Sequence, residues 1–302
     1  MSTAKLKPLE KQVIVITDAA SDIGRATALL AAGRGAKVVV SARNEEAGSK
    51  IAEEINAGGG EAVHIPCNMA DRGQVEELVA TALDRFGYID TWINTSELAI
   101  CSRLDEISEE DSRRLFDANF WGIYHGSLAI LPHLKRYGGA LINLGSEISE
   151  SVVPCQGIYS AAKYAVKGFV DTLRLEVEEL EHAPVSITLI QPPLSPKSLP
   201  ARIQNHQPSE PNPPDAVTPR AIAEAILEAA ETPVRSKKVT AEPKINPRAA
   251  GLLPNLREGN RAQDSGEQSY VARIQAAEGI LSSPGMLVST SSTTCESGAK
   301  TI

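Results

Sequence analysis

The sequence predicts an α/β fold, a doubly wound parallel sheet in a single domain, and three observations carry that expectation. Short β-branched runs alternate with helix-length segments, the runs are apolar at successive positions, and glycines fall where one element passes into the next. A strand that is apolar on both faces is covered on both faces, which is the condition of a parallel sheet held between two helical layers. Strand, helix, strand repetition then implies right-handed crossovers.

Val13 to Thr17 reads as the first strand, and Ile23 to Ala32 as the helix after it, ended by Gly33 and Gly35. Lys37 to Ser41 is the second strand, Glu45 to Ala57 a helix broken by Gly58, Gly59 and Gly60, and Ala62 to Pro66 the third strand. Gln74 to Phe86 reads as a helix, Asp90 to Asn94 as a strand, and Ser108 to Leu134 as one long helix containing Gly122 and Pro132. Ala140 to Leu144, the long helix Tyr159 to Glu181 and the strand Val185 to Gln191 continue the pattern. From Pro192 to Pro214, proline, serine and asparagine predict an extended loop placed to cover a ligand. Pro219 to Glu231 returns to helix, with Thr218 as N-cap and proline at the first helical position, and Lys238 to Thr240 is the expected edge strand. Beyond Pro247 regularity fades, and the Ser, Thr and Gly content from Ser282 onward predicts disorder. The domain is therefore expected over residues 8–245, with residues 246–302 as an extension.

The 302 residues, 42 % hydrophobic and 23 % charged, suffice for one sizeable core. A formal charge of −8 without a basic cluster argues against a nucleic-acid partner. The segment Met1 to Lys11 is charged, and no run approaches the roughly 18 to 20 apolar residues of a membrane span, so the expectation is a cytosolic protein with no membrane partner. Cys67, Cys101, Cys155 and Cys295 read as free thiols. His64, His125, His133, His182 and His206 lack metal-ligand spacing, and no metal is expected.

The chemistry centres on Tyr159-Ser-Ala-Ala-Lys163, where a spacing of four on a helix puts phenol and ammonium on one face. An adjacent cation lowers a phenol pKa from near 10 toward the range of a general acid or base. Such a pair also arises by chance on amphipathic helices, so its context decides. Ser146 follows the predicted strand Ala140 to Leu144 and precedes Tyr159 by thirteen positions. In this order the residues resemble the active site of the short-chain dehydrogenase/reductase family, and Asn119 in Asn119-Phe-Trp-Gly122 matches the family's fourth catalytic position. The resemblance covers about residues 8–245 and implies a Rossmann-type sheet. It implies that Tyr159 moves the proton on the substrate oxygen and that Ser146 hydrogen-bonds that oxygen. Lys163 would lower the tyrosine pKa and hold the nicotinamide ribose, and Asn119 would support a water relay. It also implies a homodimer or homotetramer built on the two long helices. Taken singly, Ser146 is equally readable as a strand-end cap, Asn119 as a backbone-bonding residue, and Phe120 and Trp121 as core or subunit contact.

The cofactor side departs from the family pattern. The glycine-rich turn T-G-x-x-x-G-x-G reads Thr17-Asp-Ala-Ala-Ser-Asp-Ile-Gly24, so Asp18 and Asp22 replace two of three glycines. Thr17, Ser21, Ile23 and Gly24 remain as implied cofactor contacts. Glycine serves there because the turn needs unusual dihedrals and because backbone must approach a pyrophosphate at a helix N-terminus. Aspartate tolerates left-handed dihedrals, and Asp22 suits the N-cap of a helix starting at Ile23. The family's N-N-A-G reads Asn94-Thr-Ser-Glu97, an acid expected near the adenosine. Asn68 stands at the position of an adenine-contacting acid, and Pro192-Pro193 replaces a Pro-Gly beside the nicotinamide. Ser41-Ala42-Arg43 lacks an acid for a ribose 2′-hydroxyl, whereas Arg43 suits a 2′-phosphate, so NADP is expected over NAD unless Arg43 is an idle surface residue. Glu45 and Glu46 belong to the first turn of the next helix.

Two readings follow. One is an NADP(H)-dependent oxidoreductase passing a hydride between nicotinamide and a small alcohol or carbonyl substrate. The other is a non-catalytic member with impaired dinucleotide binding, acting as a partner or scaffold subunit.

Overall fold

The computed structural model describes residues 4–153, 155–193 and 217–239, together with the backbone of Met286–Ser289. The strands in chain order are β1 (Val13–Ile16), β2 (Lys37–Ala42), β3 (Glu61–Pro66), β4 (Thr91–Asn94), β5 (Leu98–Cys101), β6 (Gly139–Leu144), β7 (Val185–Gln191), β8 (Ser236–Lys238) and β9 (Met286–Ser289). Seven of them form one parallel sheet in the order β3-β2-β1-β4-β6-β7-β8. β1 lies between β2 and β4, with Ile14 opposite Val38 on one side and Thr91 on the other. The strand order reverses between β1 and β4, and a crevice opens there at the carboxyl ends of the strands.

The helices are α1 (Asp22–Gly33), α2 (Glu45–Ala57), α3 (Arg72–Phe86), α4 (Glu109–Phe116), α5 (Gly122–Tyr137), α6 (Gly157–Arg174) and α7 (Pro219–Glu231). Ile14, Ile16, Val38 and Val40 pack on one face against Ile51 and Ile55 of α2 and Ile226 of α7. Val15, Val39, Trp92 and Leu141 pack on the other against Leu78 of α3, Ile130 of α5 and Val170 of α6. Alternate residues of each strand thus enter opposite cores, which is why the runs are apolar without interruption. Side-chain caps fix the helix starts: Asn44 Oδ1 accepts from Ala47 N at 2.9 Å, and Thr218 Oγ1 from Ala221 N at 3.1 Å.

Several expected boundaries change. The long helix from Ser108 is interrupted by a π-turn at Asp117–Trp121 and continues to Tyr137, past Leu134, with Pro132 inside it. The second long helix starts earlier, at Gly157, and passes into a second π-turn at Leu175–Leu180. Ser21, not Asp22, caps α1, its hydroxyl accepting from Gly24 N at 3.1 Å, so Asp22 becomes the first helical residue. The edge strand lies at Ser236–Lys238, two residues before its expected place. Leu98–Cys101 is a strand the sequence reading omits, and it pairs antiparallel with Met286–Ser289. Within the tail, these four residues therefore form a strand, supplied by the run Met286-Leu-Val. The remaining tail and all but Pro192 and Pro193 of the expected ligand-covering loop lie outside the described residues. No helix of the described residues is long and apolar enough to cross a membrane, and among those residues no cluster could hold a metal ion.

Candidate active site

The tetrad assembles from three elements around a third apolar cluster that includes Leu98, Leu115, Ile148 and Tyr159. Ser146 follows β6 and caps the short turn Glu147–Ser149, accepting from Ile148 N at 3.3 Å. One helical turn brings Tyr159 and Lys163 to the same face of α6, both inaccessible to solvent. Lys163 Nζ lies 5.6 Å from the Tyr159 ring centroid and donates to Leu144 O at 3.2 Å. Ser146 hydrogen-bonds the Tyr159 phenol. Asn119, in the π-turn, is engaged on both sides by Leu98: its Oδ1 accepts from Leu98 N at 2.8 Å and its Nδ2 donates to Leu98 O at 2.6 Å. The extra residue of a π-turn re-aims a side chain that a regular helix would direct elsewhere, and here it ties the tetrad to β5.

Glu97 changes the electrostatics of this group. The Tyr159 hydroxyl donates to Glu97 Oε1. Burial, then the Glu97 charge and that hydrogen bond, push the phenol well above its ordinary value, with only Ser146 acting the other way. The expectation that Lys163 brings the phenol down toward neutrality is reversed in this arrangement. Burial also lowers the Lys163 ammonium, against the opposing pull of Glu97. Glu97 stands on the cleft wall, and its carboxylate extends to the tyrosine.

The cleft itself, about 220 Å³, is lined by Asp18, Arg43, Asn68, Ser96, Glu97 and Arg114, among others. It is smaller than the ~300–1,000 Å³ of pockets that bury a whole small ligand. Of the expected cofactor residues, Arg43 and Asn68 line it. Thr17 is fully buried and joined to β4 through Thr95, whose N donates to Thr17 Oγ1 at 3.2 Å. Ile23 packs beneath the turn on the core. Pro192 accepts from Glu147 N at 3.0 Å, beside Ser146. Asn94 serves the core: it accepts from Trp92 Nε1 at 2.8 Å and donates to Ser127 Oγ at 3.1 Å and Asn143 Oδ1 at 2.8 Å. Arg114 on the cleft wall comes from a helix the sequence offered no reason to connect with the strand ends.

Asp18 occupies the left-handed region expected of glycine, at φ +46°. Burial raises its pKa from 3.8 to about 6, against the pull of Arg43 and a hydrogen bond from the Glu97 backbone N–H. The folded state therefore holds this proton more tightly than the unfolded chain, and stability is lost as pH rises from about 4 through about 6. Two units correspond to ~3 kcal/mol, and partial access to the cleft reduces this to about 1–2 kcal/mol. Asp18→Asn, which tolerates the same dihedral, should recover that amount at pH 7.5 and flatten the decline between pH 4 and 6. Denaturant unfolding of both proteins across that range checks it, and parallel pH curves would refute it.

A parallel sheet with its crevice at the strand-order reversal, and a Ser, Tyr and Lys group at its carboxyl edge, define a dehydrogenase-type α/β protein. The chain matches the short chain dehydrogenase family over residues 12–203 and belongs to the short-chain dehydrogenase/reductase family. An uncharacterized oxidoreductase of Bacillus subtilis, YxnA, is 38 % identical over 256 residues, covering 83 % of this chain and 72 % of the relative. A 3-oxoacyl-[acyl-carrier-protein] reductase of Synechocystis is 35 % identical over 186 residues, 61 % of this chain and 74 % of the relative. Among solved structures, an alcohol dehydrogenase from Thermococcus sibiricus complexed with 5-hydroxy-NADP superposes with a TM-score of 0.67 at 27 % identity, covering 76 % of this chain and 97 % of that one.

Proposed function

We propose that the protein is an NADP(H)-preferring oxidoreductase that interconverts a small alcohol and its carbonyl compound. The observation that carries this reading is the convergence of Ser146, Tyr159 and Lys163 beside a cleft whose far wall bears Arg43. The oxidoreductase relatives and the alcohol dehydrogenase complexed with 5-hydroxy-NADP support it.

The residues fit such a cofactor at its adenosine end. The Arg43 guanidinium suits a 2′-phosphate, Asn68 and Ser96 offer polar groups to the same cavity, and α1 presents its N-terminus directly after the turn. At the nicotinamide end they fit with the Glu97 side chain turned off Tyr159, a rotation of a flexible side chain rather than of backbone. When bound, the dinucleotide supplies or takes the hydride. Tyr159 gives or takes the proton on the substrate oxygen, Ser146 orients that oxygen, and Lys163 stabilises the phenolate once the Glu97 charge has moved away.

The reading is tested by measuring NADPH consumption against a panel of small aldehydes and ketones. Binding of NADPH and NADH to Arg43→Ala supplies a further check: NADPH should weaken by roughly tenfold or more, the loss of one charge-assisted bidentate contact, and NADH by far less. Equal losses would reject the assignment of Arg43. Exposed Trp121, Leu128 and Tyr164 on the α5 and α6 side support a homo-oligomer built on those helices. A non-catalytic partner or scaffold role is the second reading, favoured by the carboxylates of Asp18 and Glu97 on the cofactor track.

A further inference from the structure

Two of the acids that replace family glycines touch one another. The Glu97 backbone N–H donates to the Asp18 carboxylate, and the Glu97 carboxylate receives the Tyr159 hydroxyl. Ser146 joins the same phenol. A continuous polar connection therefore runs from the glycine-rich turn after β1 to the tetrad on α6, along the wall of the cleft. Asp18 and Glu97 both line the cavity, and Tyr159 stands behind Glu97 with about 1 % of its surface accessible. Glu97 follows the buried Ser96 and precedes Leu98, which Asn119 grips by both backbone groups. Its main chain is thus held between two anchored neighbours, and its carboxylate is the part that reaches the tyrosine.

We propose that Asp18 and Glu97 form an internal stopper: Asp18 positions Glu97, and the Glu97 carboxylate occupies the Tyr159 hydroxyl until a dinucleotide or substrate oxygen displaces it. Lys163 from α6 and Asp18 from the turn act directly on the carboxylate, and Arg43, Arg114 and Asp117 line the same cleft. Lys163 attracts it toward the tetrad and Asp18 repels it. The sequence departures at Asp18 and Glu97 then act as one device rather than as two separate losses. A carboxylate that satisfies a buried phenol also removes the need for water there, since a buried donor without a partner is unfavourable. The inference rests on the reading that this cleft takes a dinucleotide.

The test titrates the whole protein and its Glu97→Gly and Glu97→Gln variants with NADPH by calorimetry. In parallel, the phenolate absorbance of each is followed against its Tyr159→Phe counterpart, which isolates one phenol. The expected result is NADPH binding at least tenfold tighter in Glu97→Gly and ionisation of Tyr159 at lower pH in both variants. Glu97→Gln keeps an oxygen acceptor, so it should bind NADPH between the other two. Unchanged NADPH affinity together with unchanged phenol ionisation overturns the stopper. Phenol ionisation at lower pH in both variants, with no NADPH binding by any of the three proteins, upholds the hold of Glu97 on Tyr159 and sinks the dinucleotide reading instead.

Discussion

Tyr159→Phe should lower turnover of any carbonyl substrate by about a hundred- to ten-thousandfold, the contribution of a positioned general acid, while leaving NADPH binding no weaker. The phenol ring packs among Leu98, Leu115 and Ile148, and phenylalanine keeps those contacts. The hydroxyl it removes is the hydrogen-bond partner of Glu97 and Ser146, and in the proposed function it is the group that moves the proton. Steady-state NADPH oxidation and a binding titration on the same preparation separate the two effects. Activity equal to the unaltered protein would end the assignment of Tyr159.

The second large effect concerns the turn after β1. A carboxylate about 6 Å from a phosphate, at an effective dielectric near 20, opposes binding by on the order of 2–3 kcal/mol. Replacing Asp18 and Asp22 together by glycine should therefore tighten NADPH binding by roughly two to four powers of ten. The native protein should also bind more tightly as pH falls through about 6, where Asp18 takes up its proton. In the double variant that contribution is absent. Calorimetric titrations at pH 5.5 and 7.5 read both. Equal affinities of the two proteins at both pH values would show that the turn does not approach the phosphates.

The layers of the fold were readable because their signals are local. α2 was expected at Glu45 to Ala57 and is found there, since Asn44 caps its start and Gly58 to Gly60 stop its end. α7 follows Thr218 and Pro219 for the same reason. The π-turns left no local mark, because one extra residue in a helical ladder changes neither composition nor apolar spacing. β5 was hidden for a different reason: its four residues follow β4 closely, and their partner strand lies far along the chain. The tetrad was legible from spacing. The direction taken by Glu97 was not, since a glycine replaced by a long side chain says nothing of which neighbour the new group will reach. Asn94 shows the converse: its position suggested the cofactor, but buried partners on β4, α5 and β6 take up its amide.

The glycine that remains in the turn separates two demands that a motif usually merges. A Cβ on Gly24 would stand 2.6 Å from Asp18 O and 2.7 Å from Ala19 Cα, so α1 could not seat on the turn. The other two positions bear acids, and the chain still closes around them: Asp18 adopts its left-handed dihedral and Asp22 enters the helix. Gly24 answers to assembly of the domain, whereas positions 18 and 22 carry side chains without loss of the turn. Two of the three positions can therefore change their chemistry while a single buried glycine keeps the scaffold intact.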